Sequence, residues 1–211
     1  TPTSDNMLVG YKYFCLRSEF EKAPSHLFRN MIKEILITFG GTDENNLSLR
    51  ILTILESLKN SYQFHTTLLS GPGFLHEQEI ETWLTQHNVF TESLHWIKNG
   101  TKKISNYMTA ADLVITSSGR TVYELAHMNI PSIVMSHHER EITHRFTTEE
   151  NGFIHLGIFN GIETEKSILA ALELLVQDKQ YRRGLYDRLK PFEFSRNKEK
   201  IIRMILDILE K

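Results

Sequence analysis

Several features that mark other classes of protein are scarce in this 211-residue chain. A single cysteine, Cys15, excludes an internal disulfide, so we expect a reducing compartment, the cytoplasm. The 24 basic and 26 acidic side chains nearly cancel, to a net charge of −2, without the basic excess that nucleic-acid binding needs. No run approaches the roughly 20 apolar residues of a membrane span, and no signal peptide opens the sequence.

The composition that remains is typical of a globular domain, with 40% hydrophobic residues and enough length for a large core. The chain opens on Thr1 rather than methionine, which we interpret as a piece of a longer chain in preference to a processed protein. Residues 1–30 are predicted to be a lead-in, with an edge strand over 11–17. Residues 31–211 are predicted to form the domain itself.

Apolar, β-branched segments alternate with segments of helical periodicity. Strands are predicted over residues 35–39, 62–69, 89–97, 112–116, 131–136 and 153–157. Helices are predicted over residues 47–58, 77–86, 102–110, 121–127, 139–150, 163–177, 180–189 and 197–210. Strict alternation implies crossovers between parallel strands. We therefore predict an α/β fold, a Rossmann-like doubly wound and mostly parallel sheet with helices on both faces, with the apolar residues of 201–209 in the core.

The first of two unusual loops is Gly40-Gly41-Thr42-Asp43, between a predicted strand and a predicted helix. Ligands of this fold bind at the carboxyl ends of the strands. The two glycines let the backbone approach a ligand, Thr42 or Asp43 can cap the helix, and the free amides of its first turn suit a phosphate. An ordinary strand-to-helix turn accounts for the same residues, and the loop is not a GxGxxG dinucleotide fingerprint.

The second loop is Ser117-Ser118-Gly119-Arg120-Thr121, again between a strand and the start of a helix. Its hydroxyls, glycine and amides predict a second anion-binding cradle. Glu124 follows three residues into the helix, where its carboxylate could accept both hydroxyls of a ribose. The alternative is a surface acid that interacts with the helix dipole, worth under ~1 kcal/mol.

A histidine-rich segment follows the fifth predicted strand. His138, Glu141 and His144 are spaced three apart, so on a helix they share one face and could ligate zinc. The sequence offers neither HExxH nor an evident fourth ligand, so we expect no metal and no cofactor. His137 or His138 could instead contact a diphosphate or a sugar hydroxyl at the end of the strand.

Together these motifs resemble the C-terminal, nucleotide-binding half of GT-B nucleotide-sugar enzymes. The segments that carry the resemblance are Phe39-Gly40-Gly41-Thr42-Asp43, residues 111–125 and Pro131-Ser132-Ile133-Val134. They are most similar to the UDP-sugar hydrolases of pseudaminic acid synthesis (the PseG and SpsG family) and more distantly to MurG, the lipid II glycosyltransferase. Residues 13–20 (YFCLRSEF) resemble the YALLRPEF linker that precedes this half.

The resemblance implies a single domain that binds a nucleotide-sugar. The loops at 40–43 and 117–121 would hold the diphosphate of a UDP-sugar, Glu124 the ribose, and the backbone near Trp96 and Ile97 the base. The Asn-Gln pair that follows the 131–134 segment in the family is replaced here by His137-His138, which changes the expected sugar contact. The family's catalytic histidine lies in a Gly-x-Gly-His-x-x-Arg loop of an N-terminal half, and this sequence does not contain that loop.

Two kinds of function remain open at this point. The first is the nucleotide-sugar-binding half of a hydrolase or glycosyltransferase of surface polysaccharide or nonulosonic (pseudaminic or sialic) acid synthesis. Its partner would be an N-terminal GT-B half or a fused sugar cytidylyltransferase, and its ligand a UDP-sugar or a CMP-sugar. The second is a non-catalytic interaction or regulatory module that keeps the fold.

Overall fold

Six parallel strands form one sheet at the centre of the chain. A computed structural model describes residues 8–100, 103–143 and 145–210, apart from the side chains of residues 88 and 89. The strands are β1 (Glu34–Thr38), β2 (His65–Leu69), β3 (Leu94–Ile97), β4 (Leu113–Ser117), β5 (Ser132–Ser136) and β6 (Phe153–Ile158). Their order is β3-β2-β1-β4-β5-β6, with every neighbouring pair parallel. The direction of winding therefore reverses between β1 and β4, and the predicted Rossmann-like doubly wound fold is confirmed.

Helices cover both faces of this sheet because each strand sends alternate side chains to opposite sides. In β1, Ile35 and Ile37 join one buried apolar cluster and Leu36 joins the other. The helices are α1 (Ser18–Glu21), α2 (Leu47–Leu58), α3 (Glu77–Gln86), α4 (Asn88–Thr91), α5 (Ile104–Ala110), α6 (Thr121–Met128), α7 (Glu139–Ile142), α8 (Gly161–Gln177), α9 (Lys179–Leu189) and α10 (Asn197–Leu209).

Within residues 31–211, two predicted elements differ clearly from those observed. The segment predicted as a strand over 89–97 begins with the short helix α4, whose Phe90 is fully buried, and only its last four residues form β3. The polar helix predicted over 139–150 is the single turn α7. Beyond it, Phe146 and Thr147 are buried, and Phe146 stacks on the Tyr123 ring of α6 at 4.7 Å. Burial of these two side chains takes the chain out of the helical path that its polar pattern predicts.

The lead-in packs onto the domain through side chains, not through strand pairing. Residues 11–17, predicted as an edge strand, contain a 3-10 turn at Tyr11–Tyr13 instead. Phe14 stacks on Tyr123 of α6 at a ring distance of 4.3 Å, and its carbonyl oxygen accepts a hydrogen bond of 2.9 Å from Asn197 of α10. Phe20 in α1 is completely buried. The edge-strand prediction is wrong because this segment forms the 3-10 turn and packs its aromatic side chains on the helices, with no strand pairing to the sheet in the described part of the chain.

A buried arginine joins the lead-in to the C-terminal helices. Arg182 of α9 is 1% exposed and donates to the carbonyl oxygen of Leu175, near the C-terminus of α8. The same guanidinium donates to the carbonyl oxygens of Arg29 and Asn30, at 3.2 and 2.8 Å. Since the last carbonyls of a helix lack partners within it, Arg182 both caps α8 and fixes the chain just before β1.

The last helix does not contribute to the core, contrary to the expectation for residues 201–209. No residue of α10 is buried. Ile201 and Met204 are half-buried. The other large apolar side chains are between 49% and 75% exposed, namely Ile202, Ile205, Leu206, Ile208 and Leu209. Helical periodicity predicted the helix correctly, but most of its apolar stripe faces outward. In the described part of the chain, no helix combines the length and apolar character that crossing a membrane requires.

Candidate functional site

The reversal of winding places the two predicted loops side by side. β1 and β4 are parallel neighbours in which Thr38 pairs with Thr116. Thr38 lies two residues before the first loop, and Thr116 lies directly before the second. The loop that leads to α2 and the loop that leads to α6 therefore leave the same edge of the sheet at adjacent positions. This edge is the place where doubly wound sheets bind their ligands.

The first loop, residues 40–43, consists of three exposed residues and one buried aspartate. Gly40, Gly41 and Thr42 are exposed, and Gly40 has a φ of 77° that favours glycine. Asp43 is 2% exposed, and its carboxylate accepts from the amides of Leu47 and Ser48 at 2.9 and 2.8 Å. Asp43 is therefore the cap of α2.

This cap corrects part of the sequence interpretation. The amides of Leu47 and Ser48 belong to the first turn of α2, which we expected to offer free amides to a phosphate. A carboxylate already satisfies these two donors and places a negative charge at the positive end of the helix. What this loop can offer an anion is therefore the exposed backbone of Gly40, Gly41 and Thr42.

The loop after β2 supports the glycine loop from behind. A Cβ atom at Gly71 would lie 2.6 Å from the carbonyl oxygen of Gly40 and 2.7 Å from the Cα of Gly41. At Gly73 the nearest atoms, the carbonyl oxygen of Gly41 and Cγ2 of Thr42, would be 3.3 Å away. The missing side chains of Gly71 and Gly73 thus let the two loops pack backbone against backbone.

We expect Gly71→Ala to lower the free energy of unfolding by about 1–3 kcal/mol, since the added methyl group meets main-chain atoms that cannot rotate away. The measurement is chemical denaturation of both proteins. Gly184→Ala in α9 is the matched control, because its Cβ would have 3.9 Å of room and alanine favours a helix interior. This control should gain about 0.5–1 kcal/mol. A Gly71→Ala protein as stable as the wild type would contradict the close packing of the loops.

The second loop presents an uncapped helix. Ser117 ends β4, and Ser118 is fully buried, with its hydroxyl 3.3 Å from that of Thr147 and its amide donating to Met135 at 3.0 Å. Gly119 borders open space, since a Cβ there would meet no atom within 4 Å. The side chain of Arg120, the residue before α6, does not cap the helix, and the amides of Val122 and Tyr123 donate to the carbonyl oxygens of Gly119 and Arg120 at 3.4 and 3.2 Å.

The two helix starts at this edge thus differ. At α2 the carboxylate of Asp43 accepts from the first amides of the helix. α6 begins at Thr121 and is preceded by Gly119 and the exposed Arg120. The guanidinium of Arg120 lies 5.4 Å from the centre of the Phe14 ring. Of the two predicted cradles, the one at α6 offers an anion a helix dipole, an open glycine and a positive charge. The Ser118 hydroxyl, by contrast, faces the protein interior.

Glu124 is buried, not the surface acid of our alternative interpretation. It is 4% exposed, and its carboxylate forms a two-pronged pair with Arg17 of the lead-in. Arg17 Nε lies 2.8 Å from Oε1 and Arg17 Nη2 lies 3.2 Å from Oε2. Burial raises the pKa of Glu124, and the hydrogen bonds from Arg17 oppose that rise. The sequence did not identify Arg17 as a site residue, although Arg17 lies in the YFCLRSEF segment that resembles the family's linker.

Arg17 is also tied to the start of α5. Its Nη1 lies 3.1 Å from Oε1 of Glu19, and Oε2 of Glu19 accepts from the amide of Ser105 at 3.1 Å. The chain of charges therefore runs from α6 to α5 across the face of the sheet. α5 is the helix that follows β3 in the chain.

Ile97 is the last residue of β3, the outermost strand on its side of the sheet, and β2 separates β3 from β1. Its carbonyl oxygen accepts from the amide of Ser70 at 3.0 Å, and the neighbouring Trp96 donates to the Ser70 hydroxyl at 3.0 Å. The ammonium group of Lys98 lies 4.3 Å from the centre of the Trp96 ring. Ile97 thus lies at the carboxyl ends of the strands, as the two loops do, but its strand is two positions from β1, where the winding reverses.

The histidine segment meets the glycine loop through Asn45, a residue that sequence reasoning did not single out. Nδ2 of Asn45 lies 3.3 Å from Nδ1 of His137 and donates to the carbonyl oxygen of His137 at 3.2 Å. Glu141 accepts from the amide of His137 at 2.8 Å, and His138 is exposed at the start of α7. His144 lies outside the described residues. Within the described residues no group of three or more histidine, cysteine, aspartate or glutamate side chains could hold a metal ion.

The sheet order and the flanking helices define the class of the domain, a Rossmann-like unit of the type that forms the C-terminal half of GT-B proteins. Its structural neighbours include MurG of Acinetobacter baumannii, with a TM-score of 0.63 at 15% identity over 98% of this chain and 57% of that chain. They also include a structure of S. aureus MnaA with UDP, with a TM-score of 0.63 at 14% identity over 99% of this chain and 51% of that chain. At such identities the likeness concerns the fold.

The sequence gives the family directly. Residues 35–146 match the glycosyltransferase family 28 C-terminal domain, and the chain belongs to that family. The uncharacterized protein MJ1062 of Methanocaldococcus jannaschii is 32% identical over 134 residues, which cover 62% of this chain and 27% of that protein. The chain thus spans about a quarter of this curated relative and about half of the two solved structures.

Proposed function

We propose that this chain binds a nucleotide-sugar, a UDP-sugar in the first instance, as one half of a two-domain GT-B glycosyltransferase or hydrolase. The observation that carries the proposal is that a helix start without a side-chain cap and an exposed glycine loop lie together at the β1–β4 edge, with the carboxylate of Glu124 in the first turn of that helix. The first two are complementary to a diphosphate and the third to a diol. Membership of the glycosyltransferase family 28 C-terminal domain supports the same function.

We assign the parts of the ligand to these groups. The diphosphate would lie against Gly119 and Thr121 at the start of α6, with Gly40 and Gly41 on its other side. The ribose would meet Glu124, and the base would lie toward Ile97 and the start of α5. A UDP molecule in the S. aureus MnaA structure, whose fold this chain shares, supports uridine as the base. A CMP-sugar is the alternative ligand, to be tested together with the UDP-sugar.

The finer assignment concerns the pathway and the partner. The motifs at 39–43 and 111–125 and the YFCLRSEF segment support a place beside the PseG and SpsG proteins, hence in the synthesis of a surface polysaccharide or a nonulosonic acid. The reacting groups would then come from an N-terminal GT-B half or from a fused cytidylyltransferase. Under this proposal residues 31–211 form the nucleotide-binding unit, on which the lead-in packs.

The test of nucleotide binding is thermal unfolding with UDP, UMP and CMP at millimolar concentration. A ligand at about 100 times its Kd adds roughly 2.7 kcal/mol to the free energy of unfolding. For a domain of this size we expect UDP to raise the Tm by roughly 5–10 °C. A shift with CMP alone would redirect the proposal to activated nonulosonic acids, and no shift with any of the three would refute it.

A second function, a non-catalytic interaction module, is favoured by one observation. The apolar stripe of α10 is exposed over Ile202, Ile205 and Leu206, as expected of a surface that packs on another domain. The thermal test separates the two functions, because an interaction module has no reason to respond to UDP.

A further inference from the structure

Glu124 is reached by a side chain from a distant part of the sequence. Arg17 lies 107 residues before it and pairs with both of its carboxylate oxygens, at 2.8 and 3.2 Å. Side-on pairing of this kind fixes the plane of a carboxylate as well as its position. Each carboxylate oxygen can accept more than one hydrogen bond, so the pair leaves acceptor capacity for a ligand.

The surroundings of Glu124 make this pairing necessary. The side chain of Glu124 is 5% exposed, whereas that of Arg17 is 48% exposed, so Arg17 is the member of the pair that lies nearer to the solvent. The other charged groups that act on Glu124 are Glu19, which favours its protonation, and Arg120, which opposes it. Of these three groups in the described part of the chain, Arg17 is the one that donates hydrogen bonds to the carboxylate.

We propose that Arg17 is a positioning residue of the nucleotide site, which holds Glu124 as an ionised carboxylate in the direction that a ribose requires. The inference rests on the proposed function and extends it to the lead-in, which becomes part of the site. A ribose diol that reaches Glu124 shares the carboxylate with Arg17. Without Arg17 the buried carboxyl takes up a proton at a higher pH and loses its fixed direction, and a neutral acid is a weaker acceptor for hydroxyl groups.

The experiment measures binding of UDP-glucose by calorimetry between about pH 6 and about pH 8.5, a range in which its diphosphate does not titrate. Wild type, Arg17→Met and Arg17→Lys are compared, with Lys22→Met as the control that removes an exposed positive charge from the same segment. We expect Arg17→Met to bind roughly 10- to 100-fold more weakly at about pH 6, with a smaller loss at about pH 8.5. Arg17→Lys should regain a flat pH profile and part of the affinity, and Lys22→Met should match the wild type.

A second measurement does not depend on nucleotide binding. In protein labelled with ¹³C at glutamate carboxyl groups, the Glu124 resonance should titrate at a higher pH in Arg17→Met than in the wild type. Unfolding curves without nucleotide show that each variant is folded.

The outcomes separate the two proposals. Wild type that binds no UDP-glucose while Glu124 still titrates higher in Arg17→Met would overturn the proposed function and keep the hold of Arg17 on Glu124. Arg17→Met with the affinity, the pH profile and the Glu124 titration of the wild type would overturn the role of Arg17 and keep the proposed function. A loss of affinity that is equal at every pH, with an unchanged Glu124 titration, would also overturn the positioning role.

Discussion

Replacing Glu124 by glutamine is expected to weaken UDP binding roughly 10- to 100-fold, which corresponds to the hydrogen bonds of a charged acceptor to the ribose. Glutamine keeps the size of the side chain, so the loss reports the charge and the second acceptor oxygen, not a cavity. The wild type should also bind UDP more tightly than 2′-deoxy-UDP, and the difference should be clearly smaller in the variant, whose amide forms only a weaker, uncharged hydrogen bond to the hydroxyl. This comparison isolates the contact between Glu124 and the hydroxyl group from any loosening of α6.

The matched control is Glu163→Gln, since Glu163 is an acid in the first turn of a helix, α8, and its side chain is 74% exposed. Calorimetric titration of the three proteins with both nucleotides gives all the comparisons. If Glu124→Gln discriminates between ribose and deoxyribose as strongly as the wild type does, the carboxylate does not contact the ribose. The assignment of the cleft would then depend on the glycine loop and the start of α6.

The largest effect on stability is expected for Arg182→Ala. The substitution leaves the carbonyl oxygens of Leu175, Arg29 and Asn30 without their donor and opens a cavity under α9. Hydrogen bonds to a charged group contribute about 1.5–3 kcal/mol each and are not additive, so we expect a loss of about 3–5 kcal/mol. For a chain of this size the Tm should fall by about 10 °C.

The neighbouring Arg183→Ala provides the control for this prediction. Arg183 is half-exposed and pairs with Asp187 at 3.4 Å, four residues along the same helix. Such exposed pairs contribute about 0.3–0.5 kcal/mol. Thermal and denaturant unfolding of both variants should therefore show one large loss and one near zero. Equal losses would mean that α9 tolerates any change poorly and that the three carbonyl contacts of Arg182 are not special.

The parts of the fold that could be predicted from the sequence are those that repeat a local pattern. The apolar runs that became β1, β4 and β5 lie at the centre of a parallel sheet, where both faces are buried and the sequence shows it. The glycine loop and the loop before α6 were identified for the same reason, because each separates a buried strand from a periodic helix. Their adjacency followed from the rule that places ligands at the carboxyl edge.

The parts that could not be predicted depend on contacts between distant residues. Nothing near Glu124 in the sequence shows that Arg17, 107 residues away, pairs with it. The cap of α2 is a local feature by comparison: the sequence offers Thr42 and Asp43 as alternatives, and the structure shows that Asp43 accepts from the amide of Leu47. The apolar stripe of α10 reads as core because periodicity reports amphipathicity and not the presence of a partner. Likewise, Phe90 has the character of a strand residue, yet it is buried by way of α4.

The β1–β4 pairing also has a consequence for the time course of folding. Every other neighbouring pair joins strands that are consecutive in the chain, whereas Glu34 and Asp112, hydrogen-bonded at the start of β1 and β4, are 78 residues apart. Closing a longer loop costs more entropy before any contact repays it, so this pairing forms late. A chain that leaves the ribosome can assemble β1, β2 and β3 as a half-sheet before β4 exists. Under the proposed function, competence to bind the nucleotide then appears only when the second half docks, which would make nucleotide binding a marker for the last step of folding.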